Sequence, residues 1–220
     1  MAISTAATAA IHGKTAPAIR GLYAITPDEA DTAIIAAKVR RAIAGGARLV
    51  QYRNKAASPA LRKEQAAALL ALCRAKGVPL IVNDDLELAI RLGADGVHLG
   101  GGDGDLSAAR RSMAAGKLLG ASCYDRLEVA IAAVARGADY VAFGAAFPTA
   151  TKPAAVRAPL ALYAEAKARL GVPIVAIGGI TPTNAASTVA AGADAVAVIS
   201  ALFDAEDVEA RAREFCEVLA

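Results

Sequence analysis

The feature that most constrains the fold is an eightfold alternation of short β-prone segments with longer segments of helical period. The predicted strands cover residues 21–26, 48–53, 79–83, 96–100, 118–122, 140–144, 173–178 and 195–200. The predicted helices cover residues 31–44, 59–75, 86–92, 105–115, 125–136, 158–170, 182–191 and 205–219. Eight such units with short connections favour a closed parallel barrel over an open sheet. The sequence therefore predicts one (β/α)8 TIM barrel over residues 21–220, in the α/β class.

An internal repeat supports the barrel. Gly-Ala followed by a polar residue precedes strands 2, 4, 6 and 8, at residues 46–48, 93–95, 137–139 and 192–194. Each glycine can end the preceding helix in a conformation with positive φ, after which a short turn enters the strand. We interpret the repeat as architectural. Function is expected at the opposite edge, because the active sites of such barrels form from the loops that follow the strands.

Composition limits the classes of partner. The chain is 56% hydrophobic and carries a net charge of +3, with Lys and Arg scattered among acids. That pattern gives little support to nucleic-acid binding but leaves small anions as partners. Charged residues or glycine interrupt every apolar run before the roughly 18 residues of a membrane span, so no membrane segment is expected. The sequence leaves homo-oligomerisation open.

The cysteines and the N-terminus bear on the compartment. Three widely spaced cysteines without a CxxC pair are typical of reduced thiols in a cytoplasmic protein. The first residues are rich in Ala and Thr, without a basic start or a sustained apolar segment. We expect residues 1–20 to form a short flexible N-terminal extension rather than a signal peptide.

The strongest functional signal follows the second strand. Gln51, Arg53 and Lys55 occupy alternate positions at the end of the apolar run Leu49-Val50. Alternate side chains of a strand leave the same face. Two cations and an amide on one face at the rim of a barrel indicate a site for an anionic or hydrogen-bonding substrate.

Carboxylates follow the next two strands. The third strand ends in Asn83-Asp84-Asp85, and a glycine-rich loop after the fourth presents Asp103 and Asp105. Two carboxylates on neighbouring strand ends could hold Mg²⁺, which takes oxygen ligands and keeps waters and substrate phosphate in its shell. Alternatively, each acid caps a helix or lies in a solvated turn, and Asp105 is a candidate for such a cap.

Phosphate-binding signals follow the last three strands. The loop after strand 6 contains Thr149, Thr151 and Lys152, whose hydroxyl and ammonium groups suit a phosphate or pyrophosphate. Strand 7 ends in the segment Ile177-Gly178-Gly179, and strand 8 ends at Ser200. Loops at these positions often form a phosphate cup from backbone N–H groups.

No covalent catalyst stands out. His98 lies inside the fourth strand, where we expect a hydrogen-bonded structural side chain rather than a base. The sequence lacks the phosphate-binding loop GxxxxGK[ST], the zinc motif HExxH and the nucleophile turn GxSxG.

Taken together, the ordered segments after the strands resemble the thiamine-phosphate synthase family over about residues 21–217. The segments that carry the resemblance are YAIT (23–26), QYRNK (51–55), ND (83–84), ADGVHLG (94–100) with Asp103, GAS (120–122), FPTATK (147–152), AIGGIT (176–181) and AGADAVAVIS (191–200). The order and spacing of these segments indicate the family more specifically than any single segment does.

The resemblance implies an activity and roles for residues. Members of the family are Mg²⁺-dependent transferases. They join 4-amino-2-methyl-5-hydroxymethylpyrimidine pyrophosphate to hydroxyethylthiazole phosphate, which gives thiamine monophosphate and pyrophosphate. The residues that match the site for the aminopyrimidine pyrophosphate are Gln51, Arg53, Lys55, Asn83, Ser122 and Lys152. Asp84 and Asp103 match the magnesium ligands. The residues that match the cup for the thiazole phosphate are Thr149, Ala150, Thr151, Gly179, Ile199 and Ser200. Arg53, Lys55 and Lys152 are the catalytic candidates, because they would stabilise the leaving pyrophosphate.

The chain departs from the family pattern in three places and leaves alternatives open. Gly101, Tyr124 and Ala145 stand where the family more often has Gln, His and Pro. One alternative is a non-catalytic or regulatory barrel that binds a thiamine-related phosphate. Another is a thiazole tautomerase-like enzyme on the same barrel, which is disfavoured because Cys123-Tyr124 replaces the histidine that such an enzyme would use.

Overall fold

A computed structural model describes residues 19–149 and 156–220 as a closed barrel of eight parallel strands in sequence order. The strands are β1 (Gly21–Ile25), β2 (Leu49–Tyr52), β3 (Leu80–Asn83), β4 (Gly96–Leu99), β5 (Leu118–Tyr124), β6 (Tyr140–Phe143), β7 (Ile174–Ile177) and β8 (Ala195–Val198). Strand β1 pairs with both β2 and β8, which closes the sheet. The predicted TIM barrel is confirmed. The predicted division at residues 20 and 21 remains a prediction, because residues 1–18 lie outside the described ranges.

Helices follow the strands and cover the outer face of the barrel. They are α1 (Thr32–Ala44), α2 (Pro59–Ala75), α3 (Leu86–Leu92), α4 (Leu106–Ser112), α5 (Leu127–Ala135), α6 (Leu160–Arg169), α7 (Pro182–Ala190), α8 (Ser200–Phe203) and α9 (Val208–Val218). Asp105 caps α4 by accepting hydrogen bonds from two backbone N–H groups, as predicted.

One element was not predicted. The eighth strand ends at Val198, and Ser200 begins the one-turn helix α8 instead of continuing the strand to residue 200. The apolar run that includes Ile199 hides this boundary, because a run of this kind has no period that separates a strand from a helix.

The repeat before alternate strands is architectural, as predicted. Gly46, Gly93, Gly137 and Gly192 all have positive φ. The aspartates of the last three copies also share a role, because each accepts a hydrogen bond from a backbone N–H at the start of a strand. The donors are Leu80 of β3 to Asp95, Leu119 of β5 to Asp139 and Ile174 of β7 to Asp194. They satisfy backbone groups at the N-terminal edge of the barrel, away from the site.

The apolar side chains divide into two cores. The larger core lies between the strands and the helices, and the smaller core fills the barrel interior. Tyr23 and Tyr140 are the largest members of the interior core and are almost completely buried. Ile19 is also buried in it. A barrel interior packed in this way leaves space for a ligand only at the C-terminal ends of the strands.

Candidate active site

A cleft of about 680 Å³ opens at the C-terminal ends of the strands and adjoins a smaller pocket of about 120 Å³ that extends into the barrel. Arg53 and Ser122 line both. Nine residues predicted to bind substrate line one or both cavities: Gln51, Arg53, Lys55, Asn83, Ser122, Thr149, Gly179, Ile199 and Ser200. The structure therefore brings together side chains and backbone from six strand ends.

The residues after β2 point to the same side, as their spacing predicts. Gln51 lies on the strand and is only 3% exposed, whereas Arg53 and Lys55 follow the end of the strand at Tyr52. Buried Thr26 fixes the backbone there, because its hydroxyl donates to the carbonyl of Arg53 (2.7 Å) and accepts from its N–H (2.8 Å). The prediction of a strand to residue 53 was one residue too long, but the common direction of the three side chains holds.

Asp28 is a positioning residue that the sequence did not reveal. Its carboxylate accepts from the Arg53 guanidinium (Nη1 to Oδ1, 3.1 Å) and from the backbone N–H of Lys55 (2.8 Å). It therefore holds both cationic residues at the rim. The segment around it, Pro27-Asp28-Glu29, reads as an ordinary polar turn, and no periodic pattern distinguishes this acid from its neighbours.

The two predicted metal ligands lie together at the rim. Asp84 has a left-handed backbone conformation (φ 62°), and its N–H donates to the carbonyl of His98. Burial raises the pKa of Asp84, and so do the hydrogen bond and the charge of Asp103, while Lys55 lowers it. The ammonium of Lys55 lies 3.4 Å from Asp84 Oδ2. Asp103 in turn accepts from the N–H of Gly100 (2.7 Å).

This arrangement fits a hard divalent cation. The charge of Asp103 and its hydrogen bond to Asp84 raise the pKa of Asp84, and a cation between the two carboxylates would remove their repulsion. In the part of the chain that the structure describes, no cluster of three or more His, Cys, Asp or Glu could hold a metal. A two-carboxylate set suits Mg²⁺, which commonly completes its shell with waters and substrate phosphate.

A chain of hydrogen-bonded side chains crosses the floor of the pocket. It joins five residues from five strands, in the order Gln51, Tyr23, Tyr140, His98 and Ser122; we call it the polar chain. The successive distances are 2.8 Å, 3.0 Å, 3.1 Å and 2.9 Å. Burial lowers the pKa of His98 to about 4, so its ring is neutral at pH 7. The prediction that His98 is a hydrogen-bonded barrel-lining residue is confirmed.

The opposite side of the cleft has exposed backbone rather than cations among the described residues. Gly178 and Gly179 both have positive φ, and a side chain at Gly179 would collide with the carbonyl oxygens of Phe147 and Pro148. Asn184 of α7 fixes this turn by donating to the carbonyl of Gly179 (3.0 Å) and accepting from the N–H of Thr181 (2.8 Å). Close backbone approach of this kind suits a phosphate.

Two of the departures from the family pattern touch each other. The hydroxyl of Tyr124 accepts from the N–H of Gly101 (3.2 Å), and a Cβ at Gly101 would approach the Tyr124 ring at 3.6 Å. Tyr124 has φ of 57° and lines the cleft. The small residue and the large ring therefore fit together beside the loop that carries Asp103.

Three predicted residues, Ala150, Thr151 and Lys152, lie outside the described residues, and their roles remain predictions.

The described cysteines are free thiols. Burial raises the pKa of Cys73 and that of Cys123 to about 12, so neither thiol ionises at pH 7. Across residues 19–149 and 156–220, no helix is long and apolar enough to span a membrane.

Comparison with known proteins agrees with this geometry. The chain is 59% identical over 197 residues to a thiamine-phosphate synthase of Chromobacterium violaceum, covering 90% of this chain and 95% of the relative. It is 58% identical over 199 residues to that of Methylobacillus flagellatus, with coverage of 90% and 95%. The solved thiamine phosphate pyrophosphorylase from Pyrococcus furiosus superposes with a TM-score of 0.80 at 34% identity, covering 90% of this chain and 95% of that one. Residues 22–202 match the family model described as thiamine monophosphate synthase. The chain belongs to the thiamine monophosphate synthase family.

Proposed function

We propose how this member of the family, a transferase of thiamine biosynthesis, makes thiamine monophosphate. The bond between the pyrimidine methylene carbon and pyrophosphate breaks first, and its electron pair leaves with pyrophosphate. The thiazole nitrogen then uses its lone pair to form the new C–N bond. The observation that carries the proposal is the convergence of Arg53, Lys55 and Asp84 on one rim, directly above the pocket lined by Gln51 and Ser122.

The pyrimidine pyrophosphate fits the side of the cleft formed by β2 to β5. Gln51, Asn83 and Ser122 would hold the ring in the inner pocket, and Arg53 and Lys55 would lie above it against the pyrophosphate. Their positive charges stabilise the negative charge that develops on the leaving group. Lys152 is proposed as a third cation on the leaving group.

Asp84 and Asp103 are proposed to hold Mg²⁺, which supplies charge stabilisation to the leaving pyrophosphate when bound. Lys55 already contacts Asp84, so the lysine and the carboxylate pair are placed to bind the same substrate group. Asp28 keeps Arg53 in position through their ion pair.

The thiazole phosphate is proposed to bind on the side of the cleft formed after β6, β7 and β8. Thr149, Gly179, Ile199 and Ser200 line that side, and Ala150 and Thr151 complete the proposed cup. This placement brings the ring nitrogen to the pyrimidine carbon and makes positioning of the two substrates a large part of catalysis. No general base is needed, because the thiazole nitrogen already has a free electron pair.

We further propose that the enzyme works in the cytoplasm on small phosphorylated molecules, which its free thiols and nearly neutral charge support. A homo-oligomer remains compatible with the proposal.

The order of bond breaking and bond making can be tested with single-turnover kinetics. Thiazole phosphates whose ring nitrogens differ in basicity are each used at saturation, with Mg²⁺ present and with Mg²⁺ chelated. We expect one common rate of pyrophosphate formation with Mg²⁺ and a large loss after chelation. A rate that rises with nitrogen basicity would contradict the dissociative order, and an unchanged rate after chelation would contradict the metal site.

A further inference from the structure

Three residues of the polar chain have no part in the proposed reaction, although the chain connects two residues that line the inner pocket. Tyr23, Tyr140 and His98 lie between Gln51 and Ser122, and both end residues line the inner pocket. Gly120 of β5 makes the chain possible, since a side chain there would overlap the Tyr140 ring and His98. The strands therefore leave space for this connection in the middle of the barrel.

Because the amide nitrogen of Gln51 faces Tyr23 in this structure, the direction of the other protons in the chain follows from it. The amide nitrogen of Gln51 can only donate, so Tyr23 accepts from it. The buried hydroxyl of Tyr23 must donate in its turn, and Tyr140 is the acceptor within reach among the described residues. Tyr140 then donates to His98 Nδ1.

The direction continues to the other end. A neutral imidazole that accepts at Nδ1 carries its proton on Nε2, so His98 donates to the oxygen of Ser122. The Ser122 hydroxyl hydrogen is then available to donate into the pocket. At the first end, the Gln51 amide has its nitrogen turned to Tyr23, and its carbonyl oxygen is the group that it offers to the pocket.

If every hydrogen bond of the polar chain changed direction, the donor at one end would become an acceptor and the acceptor at the other end would become a donor. The Gln51 amide would have to turn over, both tyrosine protons would have to change direction, and His98 would have to change tautomer. In the direction that the structure has, Gln51 offers an acceptor and Ser122 offers a donor, and the opposite pattern requires all of these groups to change together. The two ends cannot both donate or both accept without leaving a buried polar group of the chain unpaired, which is unfavourable.

We propose that Tyr23, Tyr140 and His98 are positioning residues that set Gln51 as an acceptor and Ser122 as a donor, and so select an aminopyrimidine over an oxopyrimidine. The amino group of the substrate would donate to the Gln51 carbonyl, and the adjacent ring nitrogen would accept from the Ser122 hydroxyl. An oxopyrimidine presents the inverse pattern, a carbonyl beside a ring N–H. The inference rests on the proposed placement of the pyrimidine in the inner pocket.

The test compares two unreactive ligands, the 4-amino and 4-oxo forms of 2-methyl-5-hydroxymethylpyrimidine monophosphate. Each is measured as a competitive inhibitor against the pyrophosphate substrate, and the readout is the ratio of the two inhibition constants. That ratio does not depend on the fraction of folded enzyme, so a merely structural loss would not move it. Wild type is expected to prefer the amino form strongly.

Tyr140→Phe removes the central hydroxyl without touching the ligand, and we expect it to reduce the preference about tenfold, because Ser122 and Gln51 are then free to turn independently. Tyr23→Phe breaks the same chain at another point and is expected to give the same loss. Tyr163→Phe is the matched control: it also removes a fully buried hydroxyl, but one that donates to the carbonyl of Phe143 outside the polar chain. It is expected to keep the wild-type ratio.

The outcomes separate the inference from the proposed function. If wild type discriminates but Tyr140→Phe and Tyr23→Phe discriminate equally well, the polar chain does not set the preference and the inference is wrong, while the pyrimidine site stands. An equal loss in Tyr163→Phe would also overturn it, because the effect would then follow from any buried hydroxyl. If neither ligand competes with substrate in wild type, the placement of the pyrimidine itself is wrong.

Discussion

Protonation of His98 should make the fold sensitive to mild acid by an amount that can be worked out. In the unfolded chain a histidine has a pKa near 6.5, whereas burial lowers that of His98 to about 4. Unfolded chain therefore binds a proton more readily than folded protein, and acid favours unfolding. The stabilisation is complete above about pH 6.5 and is lost as the pH falls towards 4. Integration of this linkage gives a loss of about 2 kcal/mol between pH 7 and pH 5.

The assay is urea unfolding of the metal-free protein at pH 7, 6 and 5, followed by circular dichroism. His98→Gln retains hydrogen-bonding groups but cannot titrate, so its free energy of unfolding should fall by about 2 kcal/mol less than that of wild type over this range. His12→Gln is the matched control, because it removes the other histidine of the chain. It should follow wild type. Parallel curves for wild type and His98→Gln would refute the buried neutral ring.

Three further predictions concern residues proposed to bind the metal or the substrates. Asp84→Asn should lower turnover about 100-fold or more, the size typical of losing one preorganised electrostatic group, while the thermal midpoint without metal stays equal or rises because a repelling charge is gone; unchanged turnover would refute the metal role. Lys152→Ala should also lower turnover severely with little change in thermal unfolding, and normal turnover would remove Lys152 from the catalytic set. Gly179→Ala should raise KM for the thiazole phosphate more than for the pyrimidine pyrophosphate, since its Cβ would displace the carbonyls of Phe147 and Pro148; an equal rise in both constants would contradict the proposed cup.

The barrel could be predicted from the sequence because each of the signals that specify it lies within a short segment of the chain. Alternation, helix-ending glycines and the aspartates after them each act within one βα unit, and the predicted elements agree with the structure apart from small shifts at their ends and helix α8. The side to which Gln51, Arg53 and Lys55 point was also a local property, set by the geometry of one strand.

The parts that could not be predicted depend on contacts between distant strands. Tyr23 and Tyr140 are 117 positions apart, and their hydrogen bond exists only because the closed barrel brings β1 and β6 to face each other across its interior. Asp28 contacts Arg53 through a loop whose path no periodic pattern specifies. The N–H of Asp84 likewise donates to the carbonyl of His98 in β4, a contact between strands that no local pattern specifies.

We propose that this rim carries out a transfer reaction and does not merely bind phosphates. The most direct measurement incubates the purified protein with the aminopyrimidine pyrophosphate, the thiazole phosphate and Mg²⁺, and quantifies both products over time. We expect thiamine monophosphate and pyrophosphate in equal amounts over many turnovers. Tight binding of both substrates without formation of either product would contradict it.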